Sequence, residues 1–254
     1  MDRYKLAALV EYDGTLFKGY QLQADGRTVQ GEVESALAKL TGIETRVHAA
    51  SRTDSGVHAV GQVVSFWIGD RFRPETVVRA MNHYLPADVA VKGACVVDRD
   101  FDVRRRAVFR RYTYRVARDV TRSPLRERYC LFMREWLDIP MMRLAARSLH
   151  GVHDFASFAT SLEGSESTVR VVHEARVNES DTIVEFCISQ NAFLRHQVRN
   201  TVGQLLRVGM GRCSVDEFAG LVSRPIAGTA GPAAPARGLC LMEIHYESSL
   251  PFAA

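Results

Sequence analysis

Apolar positions along the chain fall into two rhythms, one of period two and one near 3.6 residues. Residues 4–13 read as a strand that ends in the turn pair Asp13-Gly14, and a loop over 17–23 follows. Thr28 is placed to cap a helix with Gly31 in its first turn and Val33, Leu37 and Leu40 on one face. Residues 46–52 and 59–67 predict two strands, the second carrying Val63-Val64 and Phe66-Trp67. Pro74 announces a helix over 76–84, closed by Leu85-Pro86, and the Val-rich 89–97 is a further strand. The order so far is β-α-β-β-α-β.

The second half repeats it. Residues 105–118 predict a long strand with Val108, Arg110, Tyr112, Tyr114 and Val116 at even positions, so both tyrosines share a face. A helix over 139–150 starts with Pro140 and stops before Gly151. A polar loop over 160–168 leads to strands at 173–177 and 182–189. A helix over 194–210 presents Leu194, Val198, Val202 and Leu205 as an apolar stripe, with Arg195 and Arg199 together on its flank. A shorter helix over 215–222, a Gly/Ala/Pro-rich loop over 227–236 and a strand over 239–246 complete the chain. The pattern predicts an α+β protein of two ferredoxin-like halves, 1–100 and 101–254, with a cleft between them.

Composition removes several function classes. At 254 residues the chain is long enough for one large domain or two moderate ones, and its apolar and charged fractions are those of a globular protein. Met1-Asp2-Arg3 leads straight into a strand-like segment, and no run of some 18 apolar residues predicts a membrane span. The five cysteines form no CxxC pair, which argues against disulfides and zinc and for a reducing cytoplasm. His150-x-x-His153 has a metal-compatible spacing but no companion ligands, so no metal is expected.

Charge changes the picture more. Between Arg99 and Arg134 stand twelve arginines against four acids, in a chain whose net charge is only +4. Aromatics are interleaved with them (Phe101, Phe109, Tyr112, Tyr114, Tyr129), the composition of a surface that meets a phosphate backbone. Arginine supplies 29 of the 33 basic residues, however, which genome composition alone would also give.

The sharpest signal is Ser51-Arg52-Thr53-Asp54-Ser55-Gly56-Val57-His58. Asp-Ser-Gly is turn chemistry, and in isolation it reads as a polar turn with a solvated aspartate. The order Arg-Thr-Asp-x-Gly-Val-His-Ala followed by Gly61-Gln62-Val63 nevertheless resembles the active-site stretch of the TruA-type tRNA pseudouridine synthases. So do Glu11-Tyr12-Asp13-Gly14 with Gly19-Tyr20-Gln21-x-Gln23, and Arg110-Arg111-Tyr112-x-Tyr114. Asn191-Ala192-Phe193-x-x-His196-x-Val198-Arg199-Asn200-x-Val202-Gly203 and Gly238-Leu239 complete the series, with His153-Asp154-Phe155-x-Ser157-Phe158 a weaker match. The departures are Ser55 for Ala, Arg195 for His, Gln197 for Met and Cys240 for Tyr.

The resemblance implies a pseudouridine-synthase-type body with a central active-site cleft and Asp54 as the essential carboxylate, attacking covalently or abstracting a sugar proton. An ionised Asp in a water-excluding pocket needs a cation, and Arg199 is the candidate. Tyr112 would stack on the uracil and take or relay the C5 proton, Arg52 would occupy the space the flipped base vacates or hold the flipped nucleotide's phosphate, and Leu239 would line the pocket. Arg105, Arg106, Arg110, Arg111 and Arg195 are candidate RNA contacts, whereas His58 and His196 read as structural hydrogen-bonding groups. The implied substrate is the anticodon arm of tRNA at uridines 38, 39 and 40, handled by a homodimer without a cofactor. Two alternatives stay open: a synthase acting on other RNA uridines, and a non-catalytic RNA-binding protein on the same scaffold.

Overall fold

In the computed structural model, which describes residues 3–160 and 167–252, the chain forms two units. One comprises Met1–Arg110 with Cys240–Ala254, and the other Arg111–Leu239. The first unit begins β1 (Arg3–Tyr12), α1 (Val29–Thr41), β2 (His48–Ala49), β3 (His58–Gly69), α2 (Pro74–Tyr84) and β4 (Val89–Val97), in the predicted order. β1 is antiparallel to both β3 and β4, pairing Leu6 with Phe66 on one side and with Val96 on the other. β3 is buried along most of its length, which is why it reads as an apolar run rather than a clean alternation. Thr28 caps α1 by accepting the Gly31 N–H, and Gly42 closes that helix in the left-handed region at φ 76°.

β2 is much shorter than the strand predicted over 46–52. The cause is a side chain that takes the place of a strand partner. The amide of Gln62, fully buried in β3, accepts the Ser51 N–H at 3.3 Å and donates to the Ser51 carbonyl at 2.7 Å. The chain is thereby released from the sheet at Ser51, three residues before Asp54.

The second unit contains most of β5 (Ala107–Arg118), then β6 (Leu131–Met133), α3 (Ile139–Arg147), β7 (Gly151–Asp154), β8 (Val169–Ser180), β9 (Ile183–Gln190), α4 (Gln197–Gly209) and α5 (Val215–Ser223). Its strands run in the order β5-β9-β8-β7, with β6 added parallel to β5, and α3 packs against α4, α5 and β8. β6 and β7 are absent from the sequence reading because strands of three and four residues are too short to establish an alternation. Of the predicted 160–168 loop, residues 161–166 lie outside the described residues.

α4 starts at Gln197, so Leu194 is outside the helix and Arg195 sits exposed in the turn before it, not on a flank shared with Arg199. His196 adopts φ 61°, which ends the preceding turn, and the buried Gln197 side chain accepts the Leu194 N–H at 2.9 Å. The last strand, β10 (Leu239–Tyr246), runs parallel to β3 from Cys240 onward and belongs to the first unit, whose strand order is β4-β1-β3-β10. Sequence order alone places that strand in the second half.

Candidate active site

Asp54 sits half-buried on the loop that leaves the Ser51–Gln62 pairing. The loop closes through the Val57 N–H, which donates to the Asp54 carbonyl at 3.1 Å, with Gly56 at φ 77°. The segment after β1 wraps around it. The Phe17 carbonyl accepts from the Gly56 N–H at 3.3 Å and the Ser55 hydroxyl at 3.1 Å, and the Tyr20 N–H donates to the Thr53 carbonyl at 3.0 Å. The Tyr12 and Thr53 hydroxyls meet at 2.8 Å although they lie 41 residues apart. At Gly14 a Cβ would stand 2.0 Å from the Val57 carbonyl oxygen, so no larger residue fits without moving the loop. The two N-terminal motifs, separate in sequence, are one structural body.

His58 is buried at the end of this loop, and the Gly14 N–H donates to its Nδ1 at 3.0 Å. The Asp13 carboxylate lies 3.2 Å from the same nitrogen, so the ring is held between the chain after β1 and the Asp54 loop. Arg52 is exposed beside Asp54. Arg110 is 7% exposed, and its guanidinium donates to the carbonyls of Arg104, Ala50 and Ala107 at 2.6, 3.1 and 3.2 Å. Its grip on Ala50 supports the stalk of the Asp54 loop from below, a use of this arginine that differs from the RNA contact expected from charge alone.

In the second unit, Tyr112 and Tyr114 lie on the buried face of β5, as the alternation predicts. Phe193 meets Tyr112 edge-on, with ring centroids 5.0 Å apart. Tyr114 donates its hydroxyl to the Pro235 carbonyl at 2.8 Å. Burial pushes the Tyr114 phenol well above its usual range against the opposing pull of the Arg199 and Arg237 cations, so it stays neutral as a donor. A Cβ at Gly238 would lie 2.6 Å from the Tyr114 ring, which accounts for the glycine that precedes Leu239. Leu239 itself is 5% exposed at the start of β10.

Arg199, on the first turns of α4, donates Nε to the Ala234 carbonyl at 2.8 Å, and the Ala234 N–H returns a bond to the Arg199 carbonyl. The Gly/Ala/Pro-rich loop is therefore fastened to the helix. Further along, the Gln204 side chain donates to the Gly231 carbonyl at 2.9 Å. From the other side, Asn200 donates to the Phe158 carbonyl at 2.7 Å, and Thr160 pairs with His196 Nδ1 at 2.9 Å. These contacts bring Phe158, His196 and Asn200, drawn from two separate motifs, together beside Arg199. Gln197 is accommodated by Gln190, whose buried amide it meets at 3.0 Å.

The basic segment divides by environment. Arg105 and Arg106 keep side chains that are 88% and 62% exposed, near Asp102 and Asp100. Arg111 donates to the Ser189 hydroxyl and approaches Glu174, Arg115 pairs with Glu185 at 2.7 Å, and Arg118 pairs with Glu179. The arginines of β5 are thus spent within the fold, whereas the exposed pair Arg105 and Arg106 lies in the turn before the strand. Charge counting by segment misses this distinction. All five cysteines are free thiols. Among the described residues no cluster of three His, Cys, Asp or Glu is arranged for a metal ion, and no helix is long and apolar enough to cross a membrane.

Comparison with known proteins shows the family along both units. A family described as tRNA pseudouridine synthase matches residues 8–104 and 145–247, which fall on both units. A tRNA pseudouridine synthase A of Chloroflexus aurantiacus is 39% identical over 249 residues, covering 96% of this chain and 90% of the relative. One from Roseiflexus sp. strain RS-1 is 42% identical over 245 residues, covering 95% of this chain and 90% of its own. That of Geobacillus kaustophilus is 38% identical over 244 residues, covering 96% and 95%. With relatives this similar along nearly its whole length, the chain belongs to the tRNA pseudouridine synthase family of isomerases.

Proposed function

We propose that this isomerase converts uridines 38, 39 and 40 of the tRNA anticodon arm to pseudouridine, with Asp54 as the essential carboxylate. The observation that carries the reading is the Asp54 loop. A half-buried carboxylate is presented there by a loop whose backbone is held at Ser51, Thr53 and Gly56 and whose Ser55 hydroxyl is bonded to the Phe17 carbonyl. A turn kept only for chain reversal has no need of so many constraints, whereas a reacting group has to be held in a near-attack position.

The reaction breaks the N1–C1′ bond, turns the uracil and joins C5 to C1′. N1 gains a proton and the C5 proton leaves, so no redox partner or energy source is consumed. Asp54 either attacks the nucleotide or removes a sugar proton. Arg199 serves as the cationic partner of that carboxylate, Tyr112 stacks on the uracil and accepts or relays the C5 proton, and Leu239 lines the pocket. Unstacking the target base costs a few kcal/mol, and Arg52 holds the flipped nucleotide. The tRNA is bound by shape and phosphate, which suits several adjacent targets, and the working form is a cytoplasmic homodimer.

Release of tritium from C5-labelled uridine in unmodified tRNA tests the reading. Substrates that retain a uridine at only one of positions 38, 39 and 40 are each expected to release label. No release from any of them would remove the anticodon-arm assignment. Release confined to another RNA would support the broader synthase reading.

The phosphate contacts proposed are Arg105, Arg106 and Arg195, a reading supported by their exposed side chains. The Arg105→Ala/Arg106→Ala enzyme is expected to lose about two from the slope of log affinity against log salt, roughly one per phosphate contact. Arg110→Ala is expected to keep the full slope but to lower stability by about 1–3 kcal/mol, because buried carbonyls lose their donor. A reduced slope in Arg110→Ala with normal unfolding would return that residue to the RNA surface.

A further inference from the structure

We infer that Tyr12 is a positioning residue for Asp54, acting through its buried hydrogen bond to Thr53. The inference rests on Asp54 as the reacting carboxylate. Tyr12 is 3% and Thr53 8% exposed, and their hydroxyls lie 2.8 Å apart. In a site without water such a bond is not exchanged for solvent, so its geometry persists.

Thr53 is well suited to pass this constraint on. Its β-branched side chain is stiff about χ1, so fixing Oγ1 also fixes the direction of the Cα–Cβ bond. The carbonyl of the same residue is held by the Tyr20 N–H at 3.0 Å, and the Asp54 carbonyl by the Val57 N–H at 3.1 Å. The backbone is therefore pinned immediately before and immediately after the Asp54 Cα. The Tyr12 bond adds a side-chain restraint to these two backbone ones.

Tyr12 is also placed by a specific feature of the sheet. The β1–β3 register slips between Val10, opposite Gln62, and Tyr12, opposite Ala59. A slip of this kind re-aims the side chain that follows it. The Tyr20 ring then braces the Tyr12 ring at 6.4 Å and 43°. Bulge, brace and hydroxyl form a chain of contacts that leads to the residue next to Asp54. An aromatic retained only for packing has no use for the hydroxyl.

The test separates hydroxyl from ring. Tyr12→Phe and Thr53→Val are each expected to lower kcat roughly 10- to 100-fold, the penalty of misplacing a reacting group by a fraction of an ångström to an ångström. KM and the tRNA Kd are expected to stay within about twofold, because neither residue is placed on the RNA. Thr53→Ser, which keeps the hydroxyl, is expected to retain most of kcat. The Tyr12→Phe/Thr53→Val double variant is expected to lose no more than the worse single variant, since both remove one bond. Wild-type kcat in Tyr12→Phe, or losses that multiply in the double variant, would overturn the inference. Should Tyr12→Phe fail to fold, Thr53→Val against Thr53→Ser decides it by the same split in kcat. Asp54→Asn is measured alongside. An active Asp54→Asn overturns the reading of Asp54 and this inference with it; an inactive one beside a fully active Tyr12→Phe overturns the inference alone.

Discussion

Asp54→Asn is expected to fold, to bind tRNA with unchanged affinity and to release essentially no tritium from C5. Asparagine keeps the shape of the side chain and tolerates turn conformations as aspartate does. The Val57 N–H that closes the loop donates to the main-chain carbonyl of residue 54, which the substitution leaves in place. The negative charge and its nucleophilicity disappear. The size of the loss carries information about the chemistry. Removing a general base typically costs about 10²–10⁴ in rate, whereas removing a covalent nucleophile costs on the order of 10⁶. A residual rate in the lower range would favour sugar-proton abstraction, and one below detection would favour covalent attack. Turnover near that of the wild type, in a variant shown to be folded, would remove Asp54 from the mechanism altogether.

The unequal legibility of fold and site has a physical basis. Elements long enough to show a full hydrophobic period were readable, as the bounds of α1, β3, α2 and β4 show. Failures came where a side chain replaced a backbone partner or a dihedral cut a helix short. Gln62 satisfies Ser51 and reduces a predicted strand to two residues, and the positive φ of His196 delays α4 until Gln197. Neither event has a periodic signature. The destination of β10 was also hidden, because its parallel pairing with β3 joins residues far apart in sequence. The motifs named Asp54, Tyr112 and Arg199 as candidates, but not the bonds made around them. Those run from Tyr12 to Thr53 and from Arg199 to the Ala234 carbonyl, through residues whose types alone suggest packing or a plain loop. Charge counting also says nothing of burial: the Arg110 guanidinium, counted with the basic segment, donates to three main-chain carbonyls.

Arg199→Ala is expected to lower kcat by about 10²–10³ while leaving the tRNA Kd and its salt slope nearly unchanged, as for loss of a preorganised electrostatic group. The proposed role demands that the cation meet Asp54 rather than a phosphate. A phosphate-binding arginine would instead weaken Kd and flatten the salt dependence. Arg199→Lys is the more discriminating change. The guanidinium already donates Nε to the Ala234 carbonyl at 2.8 Å, which sets the plane of the group against the loop. A planar fork can keep that bond while presenting further donors to a carboxylate, whereas a lysine ammonium on a flexible stem is a single point that cannot reproduce both. Lysine is therefore expected to preserve charge and tRNA affinity yet lose most of the rate. Both variants should also unfold slightly earlier in denaturant, by about 1 kcal/mol for the lost bond to the loop. That shift is too small to account for the loss of rate through unfolding at working temperature. Combining Arg199→Ala with Asp54→Asn should cost little beyond Asp54→Asn alone, because a cation with no carboxylate to hold has nothing left to contribute. A full multiplicative loss in the double variant would show that Arg199 serves the reaction through another group.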